Sequence, residues 1–159
     1  VFFSDRVHGA LTFMNGSLSA RSWPEVTTIL PYTIIGIIFA VINSQKLNIL
    51  VLGDDTARGL GLHVERVRFG LTALAALLAA SAVSVVGLLG FVGLIVPHSI
   101  RLLLGNNYKI MFPATALLGA ALVMFSDTLA RTLFSPTEIP VGIVMAIIGV
   151  PFFLYLLRR

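Results

Sequence analysis

The chain has 159 residues, of which 57% are hydrophobic and 11% charged, with a formal net charge of +4 and a mean hydropathy of +0.98. A soluble domain carries about 25% charged residues, so this composition excludes an ordinary water-solvated fold. The absence of cysteine excludes disulfides and thiolate metal sites, and the basic residues mark the ends of apolar runs rather than forming a nucleic-acid-binding patch.

Residues 1–23 form an outer segment. It opens on the apolar stub Val1-Phe-Phe3, which reads as a segment cut short and lacks the basic start of a signal peptide. Val7-His-Gly-Ala-Leu-Thr-Phe13 is too short to span a membrane. Asn15-Gly-Ser-Leu-Ser19 follows as a turn-rich stretch, and Trp23 stands where an interfacial aromatic belongs.

Five apolar runs then predict membrane spans at 24–43, 69–86, 87–104, 111–134 and 140–157. Each is close to the ~20 residues a spanning helix needs. Helices satisfy their own backbone in lipid, so the fold class is all-α, a polytopic membrane helical bundle with about five transmembrane helices. Only the fourth run carries charges away from its ends, Asp127 and Arg131. The second and third runs are separated by Gly87-Leu-Leu-Gly90 alone, which predicts a tight turn or a single bent element.

Lys46, Arg58, Arg66, Arg68, Arg101, Lys109, Arg158 and Arg159 fall on one side of this topology. Arg6, Arg21 and Arg131 fall on the other. The positive-inside rule places the 44–68 loop, the 101–109 connection and the C-terminus in the cytoplasm. The loop keeps apolar residues at Ile49, Leu50, Leu52, Leu60 and Leu62. Gly53-Asp-Asp predicts the start of a short helix, with acidic residues at its positive end, and Gly59 and Gly61 predict its stop. This pattern suits a docking surface for a soluble partner, with an ordinary loop lying on the membrane surface as the lesser alternative.

His8, His63 and His98 fall at separate positions, the first on the opposite side from the others, which argues against a shared metal site. Pro97-His98 predicts a kink that shapes a cytoplasmic opening, or a polar helix end beside Arg101. Asp127 and Arg131 share a helix face, either as a structural ion pair or as a means of presenting Arg131 to an acidic partner. Gly87, Gly90 and Gly93 recur at every third residue and favour close helix packing. No G-x-x-x-x-G-K-[ST] sequence is present, so ATP chemistry is expected in another chain. No cofactor, resident metal or catalytic residue is expected.

Several motifs taken together resemble the FecCD-type permease family of cobalamin, haem and iron-siderophore importers. They are Gly90-Phe-Val-Gly-Leu-Ile-Val-Pro-His98 with Arg101, Asp127-Thr-Leu-Ala-Arg131, Glu138-Ile-Pro-Val-Gly142, and the ending Gly149-Val-Pro-Phe-Phe-Leu-Tyr-Leu-Leu-Arg158. Upstream, Met14-Asn-Gly-Ser-Leu18, Trp23 and Leu47-Asn-Ile-Leu-Val-Leu-Gly-Asp-Asp-Thr-Ala-Arg-Gly-Leu-Gly61 match in the same order.

The resemblance implies a subunit of ten spanning helices, of which this chain is the C-terminal half, and a short outer helix over Val7–Phe13. It implies a multi-pass protein of the cytoplasmic (inner) membrane working by alternating access. The implied partners are a separate ATP-binding subunit, a second permease subunit as homo- or heterodimer, and an extracytoplasmic substrate-binding protein. Leu50, Leu52, Gly53, Asp54, Asp55, Arg58, Gly59, Leu60 and Gly61 would form coupling helices against the ATP-binding subunit. The family usually has Glu at the position of Asp54 and often at that of Asp55, so the charge is kept on a shorter arm. Arg131 would meet acidic residues of the binding protein, while Gly90, Gly93, Pro97 and His98 are candidates for shaping the pathway. The rival readings are an ion-coupled secondary transporter using Asp127 and a membrane-embedded enzyme using His98 as a base.

Overall fold

The computed structural model describes residues 13–18, 21–133 and 139–158. Most of the short helix expected over 7–13, with His8, therefore lies outside the described residues, as do Phe134 and Glu138. In chain order the helices are α1 (Trp23–Ile42), α2 (Ser44–Leu50), α3 (Asp54–Gly59), α4 (Val64–Val86), α5 (Val92–Leu104), α6 (Tyr108–Leu133) and α7 (Val141–Leu157). The described residues contain no strand. An all-helical bundle is what the composition predicted.

Three of these helices, α1, α4 and most of α6, are long and apolar enough to cross a membrane, while α5 and α7 are shorter apolar helices. The bundle is organised around α6, which packs against α1, α2, α5 and α7. α5 also packs on α7, and α4 lies along α1. Buried side chains gather where α5, α6 and α7 meet: Val96, Ile100, Ala130, Val141 and Met145. Buried Ser126 donates its hydroxyl to the Met145 sulfur at 3.5 Å, so its polar atom is not left unpaired. None of the apolar window of α4 is buried. A helix that is apolar yet uncovered is made for lipid or for protein outside this chain.

Helix ends differ from the apolar runs for local reasons. α4 begins at Val64 rather than at residue 69, carrying Glu65 in its first turn, where a carboxylate meets the positive end of the helix dipole. α5 begins only at Val92, although its apolar run starts at residue 87. Gly87 has φ 79° and Phe91 has φ 66°, both outside the helical region. The resulting 13-residue helix is about 20 Å long, short of a hydrocarbon core of ~30 Å.

Non-helical backbone at such depth needs protein partners, and it has them. The Leu88 N–H donates to the Phe13 carbonyl at 3.1 Å, the Ser17 N–H to the Val86 carbonyl at 2.9 Å, and the Gly142 N–H to the Gly16 carbonyl at 3.4 Å. Three chain segments thus meet at one corner of the fold. A Cβ on Gly87 would collide with the Phe13 carbonyl oxygen, and one on Gly142 with the Asn15 carbonyl oxygen. Glycine is what allows the backbones to approach this closely.

Candidate functional site

The most polar surface is built on α3. Its start is set by Gly53, whose φ of 105° and ψ of 154° suit only glycine. Its end is a Schellman turn: the Leu62 N–H donates to the Ala57 carbonyl at 3.0 Å and the Gly61 N–H to the Arg58 carbonyl at 2.9 Å. Gly61, with φ 80°, is therefore the stop signal. Gly59 is the last residue of the helix itself. Ala57 is fully buried beneath this short helix, which fixes the opposite face outward.

That outward face combines charge with apolar side chains. Leu52 is 64% and Leu60 63% exposed, and Asp55 and Arg58 are exposed beside them. Leu50 is half-buried, so it belongs to the support of the surface more than to its face. Asp54 is engaged within the chain, 2.9 Å from Arg68 of α4, while Arg58 lies 3.9 Å from Glu65. Exposed leucines thus flank charges on and beside a short helix of fixed orientation.

The support beneath α3 contains residues that sequence patterns did not single out. α2 packs on α6. Asn48 donates to the Asn107 side-chain oxygen at 3.2 Å and accepts the Tyr108 N–H at 3.0 Å. Asn107 carries a readable signal, an Asn directly before a helix start. Asn48 and Arg68 carry none, because their partners are distant in sequence.

At the far end of α6, Arg131 is paired with Asp127 at 2.8 Å, one turn earlier. The Arg131 side chain remains 46% exposed while paired. From Tyr108 to Arg131 the helix extends about 35 Å at 1.5 Å per residue. Arg131 and the α2–α6 contact that supports α3 thus lie at opposite ends of α6.

The glycine series divides. Gly87 is held in the corner contact with Phe13, whereas a Cβ on Gly90 or Gly93 would meet nothing within 4 Å. Among the described residues, close packing therefore accounts for Gly87 alone. Gly90 borders an open, largely apolar cleft of about 680 Å³, together with Phe91, Ile143, Ile147 and Pro151. Pro97 lies inside α5. His98 packs edge-to-face on Phe152 of α7, with ring centroids 6.2 Å apart. Among the described residues, no three His, Asp or Glu side chains are grouped to hold a metal.

Similarity to known proteins agrees with this architecture. The sequence is 42% identical over its whole length to the Fe(3+)-citrate import system permease protein YfmD of Bacillus subtilis (strain 168), covering 48% of that protein. It is 41% identical over 96% of its length to the cobalamin import system permease protein BtuC of Halobacterium salinarum (strain ATCC 700922 / JCM 11081 / NRC-1), covering 41% of that protein. A solved metal-chelate type ABC transporter in an inward-facing conformation superposes with a TM-score of 0.87 at 32% identity, over 94% of this chain and 49% of that one. The chain thus spans about half the length of the relatives it matches. The pattern of the FecCD transport family matches residues 1–159 throughout, and the chain belongs to that family.

Proposed function

We propose that the chain is the C-terminal half of a permease subunit in an ABC importer for iron-siderophore, haem or cobalamin-type chelates. The 44–68 loop then faces the cytoplasm, where a separate ATP-binding subunit receives α3. The observation that carries this reading is the α3 surface itself: a short helix fixed by Gly53 and Gly61, presenting Leu52, Asp55, Arg58 and Leu60 outward. A partner whose ATP-bound and ATP-free forms grip this surface differently shifts the permease between inward- and outward-open states. Arg131, at the opposite end, meets an acidic substrate-binding protein. The open cleft bordered by Gly90 belongs to the face turned toward the pathway, the second permease subunit and the remaining helices of this one.

The chain's own chemistry supports transport over catalysis. His98 is packed against an aromatic ring, a poor setting for a general base. Asp127 is paired with Arg131 one turn on, a contact within the helix itself. The test is to replace Asp54, Asp55 and Arg58 together in the full-length, assembled transporter. Loss of uptake and of stimulated ATP hydrolysis is expected. Survival of both would remove α3 from the coupling role.

A further inference from the structure

The first backbone N–H groups of a helix have no partner inside it. At α6 two of them are taken by a pair of asparagines that are bonded to each other. Asn107, just before the helix, accepts the Lys109 N–H at 3.1 Å. Asn48, near the end of α2, accepts the Tyr108 N–H at 3.0 Å across a separation of 60 residues. The Asn48 amide closes the pair by donating to Asn107 at 3.2 Å. Among the described residues no other hydrogen bond joins the 44–68 segment to α6.

The connectivity makes this contact distinctive. α1 runs directly into α2, and α3 reaches α4 through a short turn, so the chain itself carries a displacement of α3 to both long helices. α6 has no such connection to the loop. α2 is in turn held firmly at its start, where buried Asn43 donates to the Phe39 carbonyl at 2.8 Å and accepts from Lys46 at 2.8 Å. A firmly held segment bonded to the first turn of α6 moves that helix with it, and α6 reaches the Asp127–Arg131 pair at its other end.

We infer that Asn48, through Asn107 and Tyr108, is the positioning residue that passes a displacement of α3 to α6. The inference rests on the reading of α3 as the contact for an ATP-hydrolysing partner. It adds that the bundle's central helix is driven through a side-chain link rather than through the chain.

The test uses the full-length transporter with its ATP-binding subunit in proteoliposomes. Spin labels are placed at Thr56→Cys on α3 and Thr128→Cys on α6, both exposed positions, and their spectra are compared with and without ATP. In the otherwise unaltered protein both labels respond. In Asn48→Ala the Thr56 label still responds while the Thr128 response falls about fivefold, the scale of losing one helix cap. Asn48→Asp, which keeps the acceptor for the Tyr108 N–H but loses the donor to Asn107, restores it in part. A simple loss of stability would dull both labels together and would not be repaired selectively at α6.

An undiminished Thr128 response in Asn48→Ala overturns the link. If neither label responds in the unaltered protein, the coupling role of α3 fails first, and the link falls with it. Should Asn48→Ala not assemble, Asn48→Leu keeps the side-chain bulk while losing both the acceptor for the Tyr108 N–H and the donor to Asn107, and decides the question by the same two labels.

Discussion

The carboxylate of Asp54, the first residue of α3, lies 2.9 Å from the guanidinium of Arg68 in the second turn of α4. This pair bridges the short exposed helix and a long apolar one. Both side chains are substantially exposed, at 40% and 54%, so water and salt screen the attraction and its worth to stability is at most ~1 kcal/mol. Its effect is on orientation. Arg68→Glu is expected to leave the melting temperature nearly unchanged and to weaken co-purification of the ATP-binding subunit. Combining it with Asp54→Arg should recover much of that loss. A double variant as weak as the single one would show that the pair does not orient α3.

Gly59 and Gly61 are two residues apart but have opposite expected sensitivities. Gly59→Ala places a better helix former at a helical position with open space around it, and stability should hold or rise by up to ~1 kcal/mol. Gly61→Ala forces a side chain into φ 80°, at a cost of ~1–2 kcal/mol. It should also fray the turn that ends α3. Thermal unfolding of the two variants in the same detergent checks the ordering.

A sharper contrast is expected between Gly87 and Gly93. Gly87→Ala combines a left-handed backbone with a collision against the Phe13 carbonyl, so the corner must open, and a loss above ~2 kcal/mol is expected. Gly93→Ala meets nothing among the described residues and should leave the fold intact. Any effect of Gly93→Ala on uptake would then report the neighbouring helices and the pathway. Expression level and melting temperature, measured beside uptake, separate the two cases.

Charge reversal at Arg131 tests the other end of α6. Arg131→Glu sets two carboxylates one turn apart, Asp127 being the second, and presents a repulsive rim to an acidic partner. Affinity for the substrate-binding protein should fall, mostly through slower association, and the remaining affinity should vary less with salt. Binding kinetics at several ionic strengths give the answer. Docking identical to that of the unaltered protein would remove Arg131 from the interface.

What was readable in the sequence followed from short-range rules. Apolar runs of spanning length marked the long helices, and Gly53, Asp54 and Gly61 marked α3, because capping and left-handed turns depend on neighbouring residues. Asp127 and Arg131 were legible as a pair because helical spacing alone brings them together. Long-range contacts leave no such trace. Nothing around Asn48 announces Asn107, and nothing around Asp54 announces Arg68. The late start of α5 was hidden for a related reason: Phe91 is apolar and continues the run, yet its backbone is left-handed. Of the equally spaced Gly87, Gly90 and Gly93, the first alone lies against another backbone among the described residues.

The glycine corner has a consequence for biosynthesis. Its carbonyl at Gly16 waits for an N–H at Gly142, near the opposite end of the described chain, so the joint cannot close while the polypeptide is still emerging. The intervening helices are made and inserted first, with the 87–91 backbone lacking its last neighbour. Arrival of α7 completes the corner, so its last hydrogen bond is among the latest contacts of this chain to form.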